Sequence, residues 1–289
     1  MPAALNSPLQ LAIDTSSRAT SICIARGNDP LATLGVRVSD RRSERLWSEV
    51  DFLLLEIGLS IDDIDLFSVC TGPGGFTGIR VGMAAAKGLA TARRRPLIGI
   101  TSLEAVAAAA GKAAAVLVMT RAHQPRAGHF GSPEAQSDEA GSQQGRSQAG
   151  RSNEARGQES RADRGEVFSQ LFRNEAGAPE PLDAPMASSA GEALERVANI
   201  GKLLILGDAA SDNIDVIERI ASGTTGGRRR EWEIGQSPDL LAHLVARVAL
   251  ARYSRGESAD PGEVKACYVR PAQAVTKLAL GLVGPGLRP

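Results

Sequence analysis

Two short stretches place hydroxyls, glycines and a carboxylate where chemistry could use them: "DTSS", beginning at Asp14, and "GPGGFTGIR", ending at Arg80. A glycine-rich turn that opens a helix is a ready anion site, because its free N–H groups and the helix dipole point the same way. Gly74 and Gly75 lie in such a turn, and Arg80 adds a cation. The stretch lacks the Lys-Ser/Thr of a P-loop and does not fit G-x-G-x-x-G. From the residues alone, a tight structural turn is preferred over phosphate contact. Asp14, Thr15 and Ser16 could orient a magnesium ion or phosphate oxygens. An Asx or Ser/Thr turn joining a hairpin is the ordinary alternative.

Other chemistries lack their residues. His123, His129 and His243 form no HxxxH or HExxH pair, so no helix-borne metal site can be drawn. Only His243, in "LLAHLVARV", could serve a Ser/His/Asp hydrolase, and it reads as a helix histidine. Cys23, Cys70 and Cys267 cannot build a disulfide framework, and the first two read as small core residues. Lys plus Arg equal Asp plus Glu at 33 each, so no global field draws the chain to nucleic acid or acidic lipid. The opening "MPAALNSPLQ" lacks a basic n-region and apolar h-region, and no membrane span is found, so the cytoplasm is expected.

The elements that must position these residues follow from periodicity. "LQLAIDTSSRATSICIARG" reads as two strands around a hydroxyl-rich turn, with a third near "ATLGVRVS". A helix follows over 40–57, with Leu46, Val50, Leu53 and Ile57 on one face, Trp47 and Leu54 on another, and Gly58 suited to C′. "DLFSVC" is a buried strand leading into the glycine turn, and Thr77 is expected to cap the next helix. "PLIGI" is a strand, and Thr101 with Glu104 forms a capping box. After strand "AAVLVMT", residues 121–164 hold no Val, Ile or Leu, so a disordered insertion within a domain is expected, in the simplest case a spacer. Beyond it come strand "EVFSQLF", a hairpin around "RNEAGAPEPL", a helix opened by Ser189 with Glu192, strand "KLLILG", a helix over 212–220, strand "REWEI", and a helix capped by Ser237. This order belongs to an α/β layer fold. The division expected is 1–110 and 111–289.

Small residues recur every fourth position at Gly78, Gly82, Ala86 and Ala90, with Ile79 and Met83 beside them. Such a ridge lets another helix approach closely. It could pack on its own sheet, but the second stripe of the preceding helix favours contact with another subunit.

"LAIDTSS", "RRSERLWSEVDFLLLEIGLSIDDID", "GPGGFTGIRVGMAAAKGLA", "PLIGITSLEAVA", "DRGEVFSQLF" and "CYVRP" together resemble the TsaB (YeaZ) family, closely over 11–110 and more patchily over 165–270. The resemblance implies an actin-like ATPase or sugar kinase (RNase H-like) fold of two tandem α/β subdomains, the second reduced. It implies a protein without its own active site. The family partners a TsaD-type enzyme that places threonylcarbamoyl on the adenosine beside the anticodon, and a TsaE-type ATPase joins them. In relatives the helices after the third and fourth strands pair with TsaD, or with a second TsaB, as a four-helix bundle. Here these are 41–57 and 78–92, with Leu46, Trp47, Val50, Leu54, Gly78, Ile79, Gly82, Met83, Ala86 and Ala90 as the expected interface. tRNA is reached only through the complex. No cofactor is expected on this chain alone, with ATP or ADP and magnesium left open at the shared interface. Two departures stand out: Arg42 replaces a usual His, and "DRGE" at 163–166 is cut off from its strand.

An active kinase or ATPase of the same superfamily is the competing reading, using Asp14 with "DTSS" for phosphates and "GDAASDN" at 207–213 for adenosine. Against it, that late loop lacks paired glycines, and no second phosphate loop with an Asp base is evident. A glycoprotein endopeptidase lacks its metal ligands and nucleophile.

Overall fold

Leu9, Leu11 and Ile13 alternate with Gln10, Ala12 and Asp14, yet all six are buried, because this strand is covered on both faces. The computed structural model describes residues 7–17, 19–37, 42–122, 165–175, 178–257 and 260–269. The insertion expected over 121–164 lies outside them except for Arg121 and Ala122, as do His123, His129 and the first two residues of "DRGE".

The first sheet holds β1 (Leu9–Asp14), β2 (Ala19–Arg26), β3 (Asp29–Arg37), β4 (Leu66–Cys70) and β5 (Leu97–Ile100) in the order β3-β2-β1-β4-β5. The hairpin pairs are antiparallel, and β4 lies parallel to both β1 and β5. Helices α1 (Arg42–Glu56) and α2 (Phe76–Arg93) cover one face, where Leu46, Val50, Ile79 and Met83 pack on Leu11, Ile13 and Phe67. Gly58 does take the C′ place: its φ is 65°, and Leu59 N–H reaches back to Leu54 O at 2.9 Å. Thr77 is not a cap, since α2 already starts at Phe76 with Gly75 before it.

The second sheet repeats the plan. β6 (Ala113–Arg121), β7 (Val167–Glu175), β8 (Ala178–Pro181), β10 (Lys202–Leu206) and β11 (Glu231–Ile234) run in the order β11-β10-β6-β7-β8, with β9 (Met186–Ser188) on β7. Here too the first three strands are antiparallel and the last two parallel. One topology therefore occurs twice, the tandem α/β arrangement expected of the actin-like fold. Its outer face is covered by α4 (Ala190–Glu195), α5 (Asp208–Asp212) and α6 (Ile214–Ala221). The capping boxes at Thr101/Glu104 and Ser189/Glu192 are both formed.

Between the sheets lie α3 (Ser102–Ala108) and α7 (Ala242–Ser254), packed on each other. The two sheets part between β5 and β6, and α7 from the second half packs back on β1, β2, β4 and β5, so one core runs through both halves. Glu104 on α3 holds Arg252 on α7, and the Ala242 N–H meets Ser21 Oγ at 3.0 Å. Ser237 does not cap α7, which begins five residues later; its Oγ instead accepts the Gly207 N–H at 2.8 Å. No helix among the described residues is long and apolar enough to cross a membrane.

Candidate functional site

The β1–β2 turn and the glycine turn before α2 are interlocked. Asp14 Oδ1 accepts from the Ser16 N–H (2.9 Å) and Oγ (2.6 Å), closing an Asx turn. Gly75 N–H donates to Ser16 O at 2.7 Å, and the Thr15 hydroxyl donates to Gly78 O at 2.6 Å. A Cβ on Gly74 would fall 2.3 Å from Ser16 O, so only glycine lets these backbones meet. Gly72, at φ 93° before a cis Pro73, is likewise closed in by Ile79. Asp14, Thr15, Ser16, Gly74 and Gly75 are thus brought together as expected, but their polar groups serve the turns themselves. Beneath them, burial and then the Asp14 charge push the Cys70 thiol well above its usual pKa.

Arg80 does not join them. Its guanidinium carbon lies 3.6 Å from the Phe76 ring centroid, and its Nε donates to Tyr268 Oη at 3.2 Å, on the outside of α2.

A cleft of about 780 Å³ opens between the two halves, with Ser16, Ser17, Gly74 and Ser102 on one wall and Thr120, Arg121, Gly207 and Asp208 on the other. Gly207 and Asp208 on the far wall belong to the "GDAASDN" stretch that the kinase reading gave to adenosine, whereas Thr120 and Arg121 were not singled out from sequence. Ser17 Oγ donates to Ala19 O and Ser102 Oγ to Pro73 O, so these hydroxyls are tied into their own loops. Arg121 is held by Asp208 (3.3 Å) and by Asp212, whose side chain takes its Nη2 at 2.8 Å. A triphosphate with its metal ion needs unpaired cations and a free carboxylate. Of the cleft's charged lining residues, Arg121 and Asp208 are paired with each other, while Arg37 and Asp239 also face the cleft. Asp14, whose Oδ1 is bonded to Ser16, does not line it. No cluster of three or more His, Cys, Asp or Glu suited to a metal occurs among the described residues.

The expected interface needs correction. Gly78, Ile79, Gly82, Met83, Ala86 and Ala90 are all buried against this chain's own sheet, as are Leu46, Val50 and Leu54. A Cβ on Gly82 would fall 2.3 Å from Thr15 Oγ1, so the small-residue ridge exists to seat α2 on the β1–β2 turn. Of the ten, only Trp47 faces out. It is 48% exposed, and two residues not singled out from sequence stand with it on α1: Phe52 at 52% and Leu55 at 78%. Both fall off the buried stripe of Leu46, Val50 and Leu53, which was the available signal. The neighbouring outer face of α2 carries Thr77, Ala84 and Gly88.

Residues 36–125 match the model of the family described as TsaD: tRNA N6-adenosine threonylcarbamoyltransferase. The tRNA threonylcarbamoyladenosine biosynthesis protein TsaB of Escherichia coli is 35% identical over 98 residues, 34% of this chain and 42% of that one. YeaZ from Pseudomonas aeruginosa superposes with a TM-score of 0.59 at 19% identity, covering 90% of this chain and 99% of that structure. Over about a hundred residues the chain is similar to TsaB proteins, and its fold is that of YeaZ. An uncharacterized protein of Mycobacterium tuberculosis is 42% identical over 99 residues, 33% of this chain and 46% of its own length. The chain therefore spans less than half the length of the curated relatives it matches. The TsaD-like match takes in all of α1 and α2, the elements that carry the outward-facing apolar side chains.

Proposed function

We propose that this chain is a non-catalytic subunit in the formation of N6-threonylcarbamoyladenosine beside the anticodon of tRNA, docking a TsaD-type enzyme through the outer faces of α1 and α2. The observation that carries this is the set of large apolar side chains left in water on α1: Phe52 and Leu55, three residues apart on one face, and Trp47 about 80° round the helix from Leu55. Large exposed apolar side chains mark an interaction site. Together they expose on the order of 300 Å² of apolar surface, a gross gain of roughly 7 kcal/mol if covered, before the costs of association. The flat small-residue face of α2 beside them suits close helix packing. The matched relatives support the pathway: those TsaB proteins are named for threonylcarbamoyladenosine biosynthesis, and the family model is that of the transferase.

In this reading the chain supplies no catalytic group. The Ser16, Ser17 and Ser102 hydroxyls are spent on their own turns, and Arg121 is paired with aspartates. A TsaE-type ATPase completes the assembly, tRNA is engaged with the complex, and a nucleotide belongs at the shared interface rather than to this chain alone. The same face would also pair two copies of this chain. The test is co-purification with the same organism's TsaD-type enzyme. Leu55→Asp and Trp47→Asp should abolish capture while leaving the melting temperature nearly unchanged, and capture by both variants at the wild-type level would refute the docking face. Robust ATP turnover by the isolated chain, lost in Asp14→Ala, would favour the kinase reading instead.

A further inference from the structure

Between Asp65 and Glu104 the chain contains no acidic residue, while Arg80, Lys87 and Arg94 recur every seventh residue. Seven residues return to the same helix face to within about 20° and advance about 10.5 Å. Arg80 and Lys87 therefore share one flank of α2, and Arg94, in the left-handed conformation just past Arg93, adds a third cation at the end of the helix. The flanking Arg93 and Arg95 are paired with Asp62 and Asp65, whereas Arg94 is exposed. At the Arg80 end sits a cluster built from residues far apart in sequence. The Phe76 and Tyr268 rings lie 5.7 Å apart at 40°, with Arg80 against both. Phe76 is 44% and Tyr268 48% exposed, with the Arg80 guanidinium lying over one face of the Phe76 ring.

The segment 260–269, which carries Tyr268, runs along this flank. It is pinned by Cys267 N–H on Thr71 O at 2.8 Å, and Lys87 Nζ lies 3.5 Å from Gly262 O. It brings Lys265 and two acids, Asp260 and Glu263, and Asp260 is turned onto the Gly262 N–H at 2.8 Å. The flank keeps a positive surplus. It lies about a quarter turn round α2 from Thr77, Ala84 and Gly88, so it remains open when that face is covered.

We infer that this flank binds single-stranded RNA: the cations Arg80, Lys87 and Arg94 take backbone phosphates, and the Phe76–Tyr268 pair stacks on an unpaired base. Cations alone would suit any polyanion. Exposed aromatics at the end of a cationic track suit an unpaired base, whose π-face a duplex keeps hidden. The inference uses the proposed function only to identify the natural RNA as a tRNA loop. Its test needs no partner.

The experiment is fluorescence anisotropy of the isolated full chain with a short RNA hairpin carrying an unpaired loop, against a fully paired RNA duplex, across a salt series. Three phosphate contacts predict a log–log salt slope of about −2, since each contributes about −0.7 on single strands. Lys87→Gln and Arg94→Gln should each flatten the slope by about 0.7. Phe76→Ala with Tyr268→Ala should weaken loop binding about 10- to 100-fold with the slope unchanged, a split that mere misfolding would not produce. Absence of hairpin binding, equal affinity for the duplex, or slopes untouched by the charge variants would each overturn the inference. Loss of TsaD capture in Phe76→Ala with Tyr268→Ala, without hairpin binding by wild type, would overturn it in favour of a protein contact.

Discussion

Gly82→Ala puts one methyl group where α2 sits on the β1–β2 turn. The new Cβ would lie 2.3 Å from Thr15 Oγ1, well inside contact distance, with Thr15 Cβ at 3.4 Å and Cγ2 at 3.5 Å behind it. Thr15 is buried, and its hydroxyl donates to Gly78 O at 2.6 Å, so it cannot swing aside without breaking that bond. Overpacking costs about 1–3 kcal/mol, and the loss of one hydrogen bond costs about 0.5–1.5 kcal/mol. The gain in helix propensity over glycine returns about 1 kcal/mol. The net expectation is a loss of about 0.5–3.5 kcal/mol, a fall in melting temperature of roughly 1–14 °C for a chain of this size. Thr15→Ala should recover most of that loss in the Gly82→Ala background, because the clash then vanishes with the hydroxyl. A double-mutant thermal melt measures the coupling. An unchanged or raised melting temperature in Gly82→Ala alone would refute the placement of this ridge.

Residues 124–162 should be removable, because Ala122 N–H meets Glu166 O at 3.0 Å and Arg121 pairs with Val167, so a short turn can join the two strands; a melt within a few degrees of wild type is expected. Cys23 and Cys70 should resist alkylation at neutral pH until the chain is unfolded, since burial raises both thiol pKa values, as followed by mass spectrometry. Bonds from Ser189 to Glu192, and from Ser60 to Asp63, lower these carboxyl pKa values. Their stabilisation is therefore present above the ordinary carboxylate range and lost as pH falls through the lowered values, and Glu192→Gln should flatten that acid limb in a pH series of melts.

Local signals were legible where one residue type answers one backbone demand. Gly58 at a helix end and the Thr101/Glu104 and Ser189/Glu192 boxes are of this kind, and so is the strand order that led to a tandem α/β fold. The face of α2 was not legible. Glycine and alanine every fourth residue describe equally a helix lying on a partner and a helix lying on a turn, and only the position of Thr15 in space decides. Arg80 was misassigned for a related reason: its partner Tyr268 is 188 residues away. Phe52 and Leu55 stayed hidden because apolar residues on an amphipathic helix read as core until the buried stripe is fixed by contacts. Ser237 has the composition of a cap, but α7 starts later and Gly207 takes its hydroxyl.

The central claim is that this chain is needed for tRNA modification without performing it. The direct measurement is formation of N6-threonylcarbamoyladenosine on tRNA by the same organism's TsaD-type enzyme and TsaE-type ATPase, with wild-type chain, with Leu55→Asp, and with no chain added. Modification with the wild type, and little or none with Leu55→Asp or without the chain, is the predicted result. Equal modification in all three reactions would contradict it.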